Sequence, residues 1–152
     1  MKLSKITINK FRNFDRTQEI LVNPYTVLIG PNNEGKSNII DAITMFFSQT
    51  RFISRRSRLE DRNRFDIVRD YPASHKSGRK WPPEISCKFA LDQKDHEECQ
   101  LLKGKTEITI IKKWNYETKR FQFHITGIDE KDTNEIIEYE FDKVRVVTIP
   151  AI

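Results

Sequence analysis

Residues Gly30-Pro31-Asn32-Asn33-Glu34-Gly35-Lys36-Ser37 set two glycines five positions apart and follow them with Lys-Ser, the pattern of a loop that cradles phosphate. Each residue type has a reason to be there. Glycine allows dihedrals and close backbone approach that a Cβ blocks. Successive N–H groups from Asn33 to Ser37 would wrap an anion, and the N-terminus of a following helix adds the positive end of its dipole. Lys36 would reach the β- and γ-phosphates, and the Ser37 hydroxyl would ligate Mg²⁺. ATP and Mg²⁺ are therefore the expected cofactors. At glycine's usual frequency of ~7%, a chance match in a chain this size falls below about 1%. The bland alternative is a glycine turn joining a strand to a helix. Glu34 fits least well, since a carboxylate beside a phosphate cradle repels unless it points outward.

Such a loop needs a strand before it and a helix after it, and the flanking pattern predicts both. Tyr25–Ile29 is a continuous β-branched and apolar run, which predicts a strand buried on both faces in the middle of an α/β sheet. Over Lys36–Ser48, Ile39, Ile40, Ile43, Phe46 and Phe47 fall on one helical face. Upstream, Leu3–Lys10 alternates as a strand, Phe11-Arg12-Asn13-Phe14 reads as a turn, and Glu19–Val22 as a second short strand. Downstream, Glu84–Leu91, Glu107–Trp114 and Arg120–Thr126 alternate as strands, with a short helix in Asp92–Lys103 closed by Gly104. Ile136–Phe141 and Val144–Ile149 read as a last strand pair.

The chain of 152 residues is long enough for one real core. Its 37% hydrophobic content is low for a globular domain, yet ten Phe, four Tyr and two Trp argue against wholesale disorder. No apolar run approaches the ~18 residues of a membrane helix, and the alternating start lacks the apolar centre of a signal peptide. Two cysteines, Cys87 and Cys99, are too few for a disulfide scaffold. A cytoplasmic protein with no membrane partner is expected.

The net charge of +5 is unevenly spread: Arg51–Lys80 carries ten basic and four acidic residues, leaving 17 basic and 18 acidic elsewhere. This stretch also holds Ser-His-Lys-Ser-Gly and leads to Pro82-Pro83, and reads as a long surface insertion with one short helix around Arg58–Val68. Arg51, Arg55, Arg56, Arg58, Arg62 and Arg64 are candidate contacts to nucleic-acid phosphates. The alternative is a solvated loop facing acidic surface elsewhere in an assembly, and a charge cluster without interleaved aromatics favours that alternative. Trp81 reads as an anchor for the end of the insertion, with base stacking as the alternative. Cys87, His96 and Cys99 lack a fourth zinc ligand, and neither His75 nor His124 has a nucleophile nearby in sequence.

The run Lys2 to Phe14, then Thr26–Asn38, resembles the start of ABC-type ATPase heads of the RecF/SMC-like group. Within that group it is most similar to the OLD (overcoming lysogenization defect) ATP-dependent nucleases, and Val146–Ala151 is similar to a strand leading into their helical arm. The resemblance implies an α/β P-loop NTPase fold: the N-terminal part of an ABC-type head with a strand-rich, mostly antiparallel region after a basic insertion. Residues 1–48 would carry the loop and its flanks, 49–82 the insertion and 83–152 the strand-rich part. It also implies that Arg12 is a second basic phosphate contact, against the alternative of an exposed turn arginine. By the same resemblance Asn33 shapes the loop, while Asn38 and Asp41 support the helix, Asn38 standing beside the nucleotide.

The implied function is the ATP-binding portion of a DNA-processing or anti-phage ATPase/nuclease. Its partners would be a second head, in a homodimer or larger assembly, DNA, and a nuclease domain or subunit. The chain departs from the family in having no apolar strand ending in Asp-Glu and no Leu-Ser-Gly-Gly signature. Hydrolysis is thus expected only in a complete head dimer. The alternative is a non-hydrolysing nucleotide-binding module that contacts nucleic acid or a partner subunit through Arg51–Lys80.

Overall fold

The computed structural model of the chain describes residues 1–31, 35–47, 67–73 and 81–141. Five antiparallel strands form one sheet in the order β2-β1-β3-β4-β5. They are β1 (Lys2–Asn9), β2 (Gln18–Leu21), β3 (Glu84–Ala90), β4 (Glu107–Asn115) and β5 (Arg120–Ile125). Between β2 and β3 lie helix α1 (Lys36–Phe47) and the single turn α2 (Ile67–Asp70). Helix α3 (Gln93–Glu98) with a 3-10 turn (Gln100–Leu102) joins β3 to β4, and α4 (Glu130–Phe141) follows β5.

Strand alternation sorts the two faces of the sheet. Ile6, Ile8, Ile85, Cys87, Phe89, Ile108, Ile110 and Ile125 turn inward and are buried. Ala42, Met45 and Phe46 of α1 and Ile136, Ile137 and Phe141 of α4 complete the same core. Phe46, Phe123 and Phe141 meet edge to face or tilted, with ring centroids 5.3–6.1 Å apart. The opposite face is polar and carries the ion pairs Lys5–Glu19 (2.9 Å) and Lys88–Glu107 (2.7 Å). Helix α3 is closed by a reciprocal capping box between Asp92 and Asp95.

Three expectations need correction. Tyr25–Ile29 is not a buried strand: Tyr25 is 95% and Ile29 91% exposed, and the stretch joins no ladder. A central strand needs ladder partners at its edges and packed layers on both faces, and among the described residues none pairs with it. Ile136–Phe141 is helix, not strand. Thr133, Ile136, Ile137, Glu140 and Phe141 form one buried helical face, and Asp129 caps the start, its Oδ1 accepting the Asp132 N–H at 2.8 Å. The buried face of α1 is rotated toward Ala42 and Met45, leaving Ile40 exposed. The expected strand Val144–Ile149 and the helix core from Arg58 lie outside the described residues.

Candidate nucleotide site

Helix α1 starts at Lys36, directly after the second glycine of the loop. Gly35 has φ +93° and is buried. A Cβ there would stand 2.9 Å from Asn13 Nδ2 and 3.1 Å from the Phe14 ring. The positive φ and the close approach both require glycine. The Phe11–Phe14 turn is therefore packed against the C-terminal end of the loop. Phe11 and Phe14 hold that turn by a reciprocal backbone pair at 3.2 and 2.8 Å, and Asn38 Nδ2 donates to Asn13 Oδ1 at 2.6 Å.

Lys36 Nζ donates to the carbonyls of both Gly30 and Pro31. Its ammonium thus spans the loop from one glycine to the other. Ser37 stands exposed in the first turn of α1. An ammonium, a hydroxyl and a helix N-terminus in one place form a donor set that fits a polyphosphate and its Mg²⁺. Asn32, Asn33 and Glu34 lie outside the described residues, as do Arg51, Arg55, Arg56, Arg58, Arg62 and Arg64.

Arg12 is not an exposed turn arginine, since its side chain is 20% exposed and held from two sides. Its Nε donates to Asp70 Oδ1 at 2.9 Å, and its Nη1 donates to Asn38 Oδ1 at 3.1 Å and to Asp41 Oδ2. Its backbone N–H donates to the Asp70 carbonyl at 2.6 Å, with φ +52°. The structure brings Arg12, Asn38 and Asp41 together beside the loop. It adds Asp70, Arg69 and Asn13, which the sequence reading missed. Asn13 carried a signal in its place between Arg12 and Phe14. Asp70, 58 residues from Arg12, carried none. Arg12, Asn13, Arg69 and Tyr71 border a cleft of about 660 Å³.

Other sequence features resolve simply. Cys87 is buried in the core, which pushes its thiol pKa up and makes it inert. Among the described residues no His/Cys/Asp/Glu cluster has the arrangement of a metal site. No described helix is long and apolar enough to cross a membrane. The backbone carbonyl of Trp81 accepts the Tyr71 hydroxyl at 2.9 Å, and Trp81 as a residue is exposed.

Comparison with known proteins gives a consistent picture. The SMC head domain from Thermotoga maritima shares the fold, with a TM-score of 0.51 and 22% identity over 89% of this chain and 41% of that one. The chromosome partition protein Smc of Xanthomonas oryzae pv. oryzae is 36% identical over 97 residues, covering 63% of this chain and 8% of that protein. The Smc protein of Methanocaldococcus jannaschii is 38% identical over 48 residues, 32% of this chain and 4% of that protein. The chain therefore spans a small part of the length of these relatives. The fold is that of a P-loop NTPase built around a mostly antiparallel sheet. The family model described as AAA ATPase domain matches residues 1–147, and the chain belongs to that family.

Proposed function

We propose that this chain is the nucleotide-binding portion of an SMC/RecF-like ATPase head and takes MgATP at Gly30–Ser37. The observation that carries this reading is the Lys36 ammonium spanning the loop, with Ser37 exposed at the start of α1. Mg²⁺ bound by the Ser37 hydroxyl would neutralise charge on the terminal phosphates. Residues 1–48, 49–82 and 83–152 form successive parts of one head, which pairs with a second head in a homodimer or larger assembly. The finer reading, an OLD-like DNA-processing or anti-phage nuclease, rests on the resemblance of the first 48 residues. Nucleotide binding would gate the action of a nuclease domain or subunit on DNA. The names of the two Smc relatives favour DNA as the polymer.

Titration with a fluorescent ATP analogue tests the site. Lys36→Ala is expected to weaken binding at least tenfold, and equal binding by variant and wild type sinks the reading. DNA retention measured across salt tests the basic segment. Neutralising Arg51, Arg55, Arg56, Arg58, Arg62 and Arg64 is expected to flatten the salt slope, and an unchanged slope removes DNA from that segment.

A further inference from the structure

The cluster around Asp70 reaches beyond the loop itself. Asp70 is fully buried, and its carboxylate accepts Arg12 Nε at 2.9 Å, Arg69 Nε at 2.8 Å and Arg69 Nη2 at 2.7 Å. Its backbone carbonyl accepts the Arg12 N–H at 2.6 Å. One residue therefore holds Arg12 by both main chain and side chain. A buried carboxylate needs cationic or hydrogen-bonding partners, and among the described residues Arg12 and Arg69 serve.

The guanidinium of Arg12 is a rigid planar fork. Asp70 holds it at Nε, and Asn38 and Asp41 of α1 hold it at Nη1. Two fixed points in one plane fix the third. Nη2 of Arg12 makes no hydrogen bond to any described residue, and Arg12 borders the 660 Å³ cleft beside Asn13. Asn13 in turn packs on Gly35 of the loop. The two held positions thus fix the direction of Nη2, on a fork whose Nη1 is bonded to Asn38 in the first turn of α1, the helix that begins at the loop.

We propose that Asp70 is a positioning residue of the nucleotide site, fixing the Arg12 fork so that one arm is presented to the bound phosphates. The proposal rests on the nucleotide reading above and goes beyond it by making an acidic residue within the Arg51–Lys80 segment part of phosphate recognition. Asp70 itself touches no nucleotide. Its carboxylate holds Arg12 Nε, so its removal acts through the orientation of Arg12.

The test uses the 152-residue chain, fluorescent ATP and a thermal melt. Asp70→Asn is expected to fold and to bind ATP about tenfold more weakly. Arg12→Lys, which keeps the charge and loses the fork, is expected to lose as much. The double variant is expected to lose no more than either single one, because both changes remove the same oriented arm. A merely structural aspartate lowers the melting temperature without this non-additivity. Folded Asp70→Asn binding ATP within twofold of wild type, or fully additive losses, overturns the proposal. Should Asp70→Asn not fold, Asp70→Ser is read the same way, and failure of both to fold assigns Asp70 to the fold and overturns the proposal. Lys36→Ala separates the two claims. If wild type and Lys36→Ala bind equally, or wild type does not bind, the nucleotide reading falls and this proposal with it. If Lys36→Ala alone loses binding, only the Asp70 proposal falls.

Discussion

Lys112 of β4 crosses the core and donates its ammonium to the carbonyl of Met45, in the last turn of the helix that begins at the phosphate loop. The Phe46 carbonyl accepts at 3.4 Å, and the Phe121 and Phe123 rings lie 5.6 and 5.0 Å from Nζ. A cation at a helix C-terminus satisfies carbonyls that have no partner within the helix.

Burial nevertheless pushes the Lys112 pKa down to about 7 from its ordinary 10.5. Between these values the unfolded chain holds a proton that the folded chain lacks, so stability from this group rises with pH across that window. Below about pH 7 both states are protonated, and the cost of the buried charge is fully expressed. Urea midpoints at pH 6, 8 and 10 for wild type and Lys112→Met check this. The stability difference is expected to shift in favour of wild type as pH rises, and a difference independent of pH contradicts the assignment.

Gly35→Ala is expected to cost about 1–3 kcal/mol from its left-handed backbone alone, with further loss from the approach to Asn13 and Phe14. Urea denaturation reads the stability. ATP titration of the folded fraction is expected to show weaker binding, since the loop and the Phe11–Phe14 turn must separate. Wild-type stability in the variant contradicts the close packing.

The strands are legible because β1, β3 and β5 alternate and pack one face, while β4 alternates as far as Ile110 and then places Lys112 at a buried position. The same rule misled at Ile136–Phe141. Ile137-Glu138-Tyr139-Glu140-Phe141 alternates, but Ile137, Glu140 and Phe141 with Thr133 and Ile136 complete a helical face. The deciding signal is the cap at Asp129, which lies upstream of the alternating run. At Tyr25–Ile29 the composition describes a central strand, while strand formation depends on partners that no local pattern supplies. In the candidate site Gly35 and Lys36 were legible from spacing. Asp70 was not, because a contact between residues 12 and 70 is a property of the fold.

Asp129→Ala removes the oxygen that accepts the Asp132 N–H. Loss of such a cap costs about 1 kcal/mol, and the loss should appear as a lowered urea midpoint with an unchanged m-value. A midpoint equal to wild type denies that the cap supports α4.

Thr133→Val probes the opposite case. Thr133 Oγ1 is buried on α4 with no hydrogen-bond partner among the described residues, so the nearly isosteric apolar residue removes a desolvated hydroxyl at little cost in packing. Stability is expected to hold or to rise by about 1 kcal/mol. A loss greater than that in thermal or urea unfolding shows that the hydroxyl has a favourable partner.

The exposed ribbon from Tyr25 to Ile29 has a consequence for handling the protein. It carries no charge from Asn23 to Asn33 and presents Tyr25, Val27 and Ile29 to solvent, a profile that favours intermolecular β pairing. Pro24 and Pro31 bracket it, and neither has an N–H to extend a ladder. Self-association through this ribbon is confined to the few residues between the prolines, so the same two residues that delimit the segment act as gatekeepers against fibril growth.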